Sequence, residues 1–256
     1  MFQINFSGKT VLITGAATGI GLGIAKIFTQ AGANIAGCGL EESAQEFINV
    51  AQENNVKAFY ETCDVTNKHD LGRFVKNTVD QLGGIDILVT NAGRNVFEGA
   101  ENCTDEQWFQ NIQLNLESHW QTAKLCKPYL EKKGGVIIVI TSNHAYSTIP
   151  GCFPYNVTKT ALTGLVKTLA IEWAPHIRTV GIAPGFIDTS GNQQWFNSFP
   201  DPAAERAKTI GSHPVKKIGT TEEIGGWCVF LSSDYAAFAS GATYLIDGGR
   251  NALMQE

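Results

Sequence analysis

The sequence predicts a doubly wound α/β domain, a parallel sheet with helices on both faces, and three observations carry that expectation. Short, continuously apolar runs alternate with longer amphipathic stretches, as they do where strands are buried on both sides. A glycine-rich segment joins the first apolar run to the first amphipathic one. Of 256 residues, 43% are hydrophobic and only 17% charged, enough apolar surface for a large core and too much for a disordered chain. Right-handed crossovers then place the helices on both faces.

The elements follow in order. Thr10–Thr14 is a strand centred on Val11, Leu12 and Ile13. Gly19–Ala31 has helical spacing, with Ile20, Ile24, Ile27 and Phe28 on one side. Asn34–Cys38 is a strand, Glu41–Asn54 a helix, Lys57–Tyr60 a strand, Asn67–Leu82 a helix and Ile85–Thr90 a strand. Asp105–Lys132 reads mostly as helix, ended by Gly134-Gly135. Val136–Thr141 is the next strand, then Pro154–Trp173 (helix), Ile177–Ala183 (strand), Thr221–Ser232 (helix) and Ala242–Ile246 (strand). Between Ile187 and Gly219 the rhythm breaks, with Asn192, Gln193, Gln194, Trp195, Phe196 and prolines. That stretch is expected to be an irregular lid over a substrate.

Composition excludes several functions. Twenty-four acids against nineteen bases leave a net charge of −5, so no basic field is available for nucleic acid. The longest purely aliphatic run, Val136–Ile140, is far short of the ~20 residues of a membrane helix. Residues before Gly15 show neither the basic start nor the apolar stretch of a secretory leader. The six cysteines are scattered without a Cys-x-x-Cys pair or clustered histidines. They read as reduced thiols of a cytoplasmic protein with no metal site.

Three features carry chemistry. Thr14-Gly15-Ala16-Ala17-Thr18-Gly19-Ile20-Gly21 links strand to helix, where glycines let the backbone approach a pyrophosphate at a helix amino terminus. Tyr155 and Lys159 stand four residues apart on one helical face. An ammonium beside a phenol is expected to lower its pKa toward the range of a general acid–base. Ser142 ends the preceding strand, at the carboxyl edge where such sheets bind ligands.

With Asp64-Val65, Asn91-Ala92-Gly93, Asn115, Pro184-Gly185, Thr189 and Asp247-Gly248-Gly249, these residues make the chain resemble the short-chain dehydrogenases/reductases from about Lys9 to Gly249. The resemblance implies a single Rossmann-type domain with a seven-stranded sheet, a nicotinamide cofactor and a homotetramer. It implies catalysis by Tyr155 as acid–base and Ser142 as hydrogen-bond partner of the same substrate oxygen. Lys159 would bind the nicotinamide ribose and tune Tyr155, and Asn115 would hold a water linking Lys159 to solvent. The implied cofactor site comprises Gly15, Thr18, Gly19, Ile20, Gly21, Leu40, Asp64, Val65, Asn91, Ala92, Gly93, Pro184, Gly185, Ile187 and Thr189, with Tyr155 and Lys159. Within it Asp64 would meet the adenine amino group, Asn91 would sit beside the adenosine ribose, and Thr189 would contact the carboxamide.

The departures bear on specificity. NAD-using relatives often carry an acid at the position of Gly39, and NADP-using ones Arg or Lys at those of Thr18 or Leu40. This chain reads Gly39-Leu40-Glu41-Glu42 and has neither. A 2′-phosphate would find no basic partner, so NAD is expected over NADP. Arg94, Ser142, His144, Tyr155 and Trp195 are the expected substrate contacts, in a polar pocket with Asn95, Asn143, Cys152, Asn156, Phe186, Gln193 and Gln194. Such a pocket suits a small polar substrate: a sugar, polyol or sugar acid, or alternatively a short hydroxy acid or 3-oxoacyl-type carbonyl. A Rossmann-fold binding protein without turnover is opposed by the intact Ser142, Tyr155, Lys159 and Asn115 set.

Overall fold

Seven apolar segments pair into one parallel sheet in a computed structural model that describes residues 3–254. They are β1 (Thr10–Thr14), β2 (Asn34–Gly39), β3 (Ala58–Thr62), β4 (Ile87–Thr90), β5 (Val136–Ile140), β6 (Arg178–Pro184) and β7 (Thr243–Ile246). Their order is β3-β2-β1-β4-β5-β6-β7, as expected for a single Rossmann-type domain. The helices are α1 (Gly19–Gln30), α2 (Gln45–Glu53), α3 (Lys68–Leu82), α4 (Asp105–Ile112), α5 (Ser118–Glu131), α6 (Tyr155–Glu172), α7 (Ser190–Asn197), α8 (Pro202–Gly211) and α9 (Thr221–Ser232).

Strand periodicity splits the core in two. Val11, Ile13, Ile35 and Val89 face one side, where Ile24 and Phe28 of α1, Phe47 of α2 and Ile224 of α9 cover them. Leu12, Ala36, Leu88 and Ile137 face the other, under Phe74 of α3, Leu130 of α5 and Leu162 of α6. On the first side α1 and α9 approach closely: a Cβ on Gly225 would lie 2.8 Å from the Gly23 carbonyl oxygen. Because β1 pairs with both β2 and β4, successive crossovers diverge there and open a crevice at the carboxyl edge.

Two expectations need correction. Asp105–Lys132 is not one regular helix. Gln113–Glu117 forms a π turn between α4 and α5, with the Ser118 N–H reaching the Gln113 carbonyl. Such bulges re-aim side chains and recur at functional sites; this one contains Asn115. The Ile187–Gly219 stretch is not irregular either, since it holds α7 and α8. Thr189 caps α7 through the Asn192 N–H, while Asp201 caps α8 through the Ala204 N–H with Pro202 in its first turn. An isolated bridge between Ile187 and Gly219 closes the base of the excursion. The Asp188–Arg206 ion pair at 2.6 Å ties its stem to α8.

Candidate active site

The turns after β1 and β4 are stitched together across the crevice. The Thr14 hydroxyl accepts the backbone N–H groups of Asn91 (3.0 Å) and Ala92 (3.1 Å). The Asn91 side-chain amide donates to the carbonyls of Thr14 and Gly15, both at 3.0 Å. That amide is committed to the turn, so Asn91 shapes the crevice with its side chain. Gly21 is required by proximity: a Cβ there would overlap the Gly15 carbonyl oxygen and lie 2.9 Å from Asn91 Nδ2. Thr18 is the N-cap of α1, but its side chain makes no capping hydrogen bond and no acid occupies the first turn. The first N–H groups of α1 are therefore left for an anion. The start of the segment that carries α7 and α8 meets this turn, because Thr189 Cγ2 would sit 3.6 Å from a Cβ on Gly19.

At the ends of β2 and β3, Leu40 is 72% exposed. Glu41 folds back so that its carboxylate fills the space where a side chain on Gly39 would begin. The Tyr60 and Thr62 hydroxyls, donating to the Glu41 carbonyl at 3.2 and 2.9 Å, hold it there. Burial, then the nearby Glu41 charge, pushes the Tyr60 phenol up. Asp64 accepts the Thr66 N–H and hydroxyl at 2.9 and 2.8 Å through one oxygen. Val65 is buried beside it.

Ser142, Tyr155, Lys159 and Asn115 gather around the carboxyl edge of β5. Ser142 Oγ accepts the His144 N–H at 3.2 Å and donates to Asn143 Oδ1 at 3.3 Å. Tyr155 begins α6, buried against the edge of Phe97, with ring centres 5.6 Å apart. Lys159 Nζ, one turn on and 3% exposed, donates to the Ile140 carbonyl at 3.2 Å and lies 5.6 Å from the Tyr155 ring centre. Asn115 is fully buried. Its Oδ1 accepts the Arg94 N–H at 3.1 Å, and its Nδ2 donates to the Arg94 carbonyl at 3.0 Å and to Asn111 Oδ1 at 2.8 Å. Its side chain thus braces the turn after β4 against the π turn.

Here the electrostatic expectation is overturned. Burial pushes the Tyr155 phenol up to about 12, with the Ser142 contact acting against it. Burial also lowers Lys159 to about 8. Desolvation disfavours whichever form is charged, so phenolate and ammonium are penalised together. In this arrangement it outweighs the lowering expected of the ammonium.

The residues expected to contact substrate have different surroundings. His144 packs against Tyr155 (ring centres 6.0 Å) and Phe97 (5.8 Å). Its Nδ1 lies 3.2 Å from both Thr148 Oγ1 and Cys152 Sγ, and burial lowers its pKa. Arg94 is exposed and makes no ion pair among the described residues. Trp195 joins an aromatic cluster around α7, with ring centres 5.6 Å from Phe186, 5.2 Å from Phe196 and 4.8 Å from Phe199. A cavity of about 480 Å³ lies beside α9, between Phe186, Trp227 and Phe230, and includes none of Ser142, Tyr155 and Lys159. Phe97, Thr148 and the fold-back of Glu41 escaped sequence reading, since each acts through a loop conformation with no periodic signal.

Comparison with known proteins places this geometry. Residues 15–251 match the family model described as enoyl-(acyl carrier protein) reductase. Dehydrogenase/reductase SDR family member 4 of Homo sapiens is 34% identical over 248 residues, covering 95% of this chain and 87% of that protein. L-fucose dehydrogenase of Oryctolagus cuniculus is 33% identical over 248 residues, covering 95% and 85%. The structure of Thermoplasma acidophilum aldohexose dehydrogenase in ligand-free form superposes with a TM-score of 0.90 at 26% identity, covering 98% and 96%. A seven-stranded sheet ordered around the β1–β4 crevice, with this similarity over nearly its whole length, makes the chain a member of the short-chain dehydrogenase/reductase family and an oxidoreductase.

Proposed function

We propose that the protein is an NAD-dependent dehydrogenase of a small polyhydroxy compound, a sugar, polyol or sugar acid. The observation that carries this reading is the convergence of Ser142, Tyr155 and Lys159 beside a half-buried, uncharged His144. Two similar proteins bear the names L-fucose dehydrogenase and aldohexose dehydrogenase.

The uncapped amino terminus of α1 fits the pyrophosphate of a nicotinamide dinucleotide, held by the turn from Gly15 through Thr18, Gly19, Ile20 and Gly21. Leu40, Asp64 and Val65 would border its adenosine, Ala92 and Gly93 would line its path, and Lys159 would hold the nicotinamide ribose. Pro184, Gly185, Ile187 and Thr189 would hold the nicotinamide. When bound, that group supplies hydride transfer. The Tyr155 hydroxyl exchanges the proton of the carbinol, and Ser142 hydrogen-bonds the same oxygen to stabilise its developing charge. Asn115 would hold a water linking Lys159 to solvent. His144 and Trp195 border the rest of the substrate.

NAD is favoured because Glu41 brings a carboxylate to the end of β2, standing in for the acid absent at Gly39. A carboxylate accepts hydrogen bonds from ribose hydroxyls and repels a 2′-phosphate. NAD is expected to exceed NADP by at least about tenfold in kcat/KM, the equivalent of ~1.4 kcal/mol. Leu40→Arg should move the preference toward NADP, and equal wild-type use of both cofactors would overturn the assignment.

The second reading, a short hydroxy acid or 3-oxoacyl-type carbonyl, rests on Arg94, exposed and without an ion pair among the described residues. Cofactor reduction across sugars, polyols and hydroxy acids, with NAD and NADP in parallel, separates the two. Turnover confined to carboxylates would favour the second.

Assembly as a homotetramer is supported by Phe109, Trp120, Val157 and Ile171, which stay exposed on α4, α5 and α6, and by Trp227, Phe230 and Phe238 toward the carboxyl terminus. Light scattering at micromolar concentration should give four times 27.6 kDa; a monomer mass would refute it. Six free cysteines suit a reducing cytoplasm.

A further inference from the structure

We propose that Cys152 is a positioning residue that holds His144 in the Nε2–H tautomer, making His144 a neutral hydrogen-bond donor to a substrate oxygen next to the reacting carbinol. The proposal rests on the sugar-type reading above and names the group that recognises the neighbouring hydroxyl.

The argument starts from hydrogen counting. Cys152 is 2% exposed, and burial pushes its thiol pKa up against the smaller opposing effects of Thr148 and Asn156, so the sulfur keeps its hydrogen. The thiol's own hydrogen needs an acceptor, and His144 Nδ1 stands 3.2 Å away. Thr148 Oγ1 lies 3.2 Å from the same nitrogen. An N–H at Nδ1 could serve only one of the two and would leave the thiol hydrogen to the Thr148 hydroxyl, a weaker acceptor than an imidazole nitrogen. A lone pair at Nδ1 receives it. In a neutral imidazole one nitrogen accepts and the other donates, so the proton resides on Nε2. Among the described residues Nε2 makes no hydrogen bond, and the ring is only partly covered.

The short turn Asn143–Ala145 puts this donor beside the reaction. Ser142 Oγ accepts the His144 N–H, and the His144 ring meets Tyr155 edge-on. A substrate oxygen adjacent to the carbinol would accept from Nε2–H while the carbinol oxygen meets Ser142 and Tyr155. A neutral donor suits a hydroxyl or ring oxygen, whereas a carboxylate would be better served by a cation.

Histidine-labelled protein at pH 7 tests this by nitrogen-15 NMR, with the His144 signals assigned by their loss in His144→Gln. The Nε2–H tautomer is expected in wild type, a shift toward Nδ1–H in Cys152→Ala, and restoration in Cys152→Ser. With an aldohexose that the enzyme oxidises, Cys152→Ala should raise KM about three- to tenfold with a smaller change in kcat. The analogue lacking the neighbouring hydroxyl should show no such rise, and Cys152→Ser should recover most of the loss. An Nδ1–H or doubly protonated His144 in wild type overturns the proposal, as does Cys152→Ala with tautomer and KM both unmoved. The expected tautomer together with no turnover of any sugar or polyol would instead sink the sugar-type reading and leave the thiol–imidazole assignment standing.

Discussion

Tyr155→Phe is expected to lower kcat/KM by about 10²–10⁴ while the cofactor dissociation constant stays within about twofold. The substitution removes one hydroxyl and leaves the ring, so the edge contacts with Phe97 and His144 survive. Ser142 loses its contact with the phenol but keeps the His144 N–H and Asn143 Oδ1. The fold should therefore lose about 1 kcal/mol or less. Retention of more than about a tenth of kcat/KM would assign the proton elsewhere, since general acid–base groups contribute far more.

The phenol's ionisation adds a pH signature. Alcohol oxidation consumes the phenolate and carbonyl reduction the phenol. With burial pushing Tyr155 up to about 12 in the free protein, kcat/KM for oxidation should climb with pH across the neutral and alkaline range. Reduction should not share that climb. A flat oxidation profile in wild type would argue against Tyr155 as base.

How far the sequence reveals this molecule depends on what each feature needs. Strands are legible because burial on both faces leaves continuous apolar runs, and Thr10–Thr14 is found with its observed bounds. Thr221–Ser232 is found with the same fidelity, and its Thr220–Glu223 capping box is a further signal readable in one dimension. The π turn at Gln113–Glu117 hides because one shifted hydrogen bond hardly alters apolar spacing. The helices α7 and α8 were legible in principle through Thr189, Asp201 and Pro202, but their sparse apolar residues mask the period. The site shows the same division. Ser142, Tyr155 and Lys159 are carried by strand end and helix spacing. Glu41 over Gly39 depends on Tyr60 and Thr62 arriving from β3, a convergence that no local pattern reports. The raised phenol depends on burial, to which Phe97 contributes from a loop.

Lys159→Met is expected to abolish turnover and weaken cofactor binding, yet to make the cofactor-free protein more stable at pH 7. Lys159 is almost wholly buried and donates to one backbone carbonyl, with no carboxylate partner among the described residues. Lowering its pKa from 10.5 to about 8 through burial means that folding penalises the ammonium by on the order of 3 kcal/mol. The sign follows from proton counting. Between about 8 and 10.5 the unfolded chain holds the proton that the folded protein has released, so stability rises with pH. Below that window the penalty is complete, and above it the penalty is gone. Methionine keeps the length of the side chain without the charge, so the variant should gain roughly 1–3 kcal/mol at pH 7 and melt about 2–12 °C higher. The gain should shrink across the same alkaline window in which wild type sheds its proton. Paired thermal melts of both proteins at pH 7 and pH 10 measure it. A variant no more stable than wild type at pH 7, or a gain that ignores pH, would mean that the buried ammonium carries no such cost. If the gain appears, the charge that serves the proposed ribose and phenol is kept against the stability of the fold, a trade expected of an active-site residue.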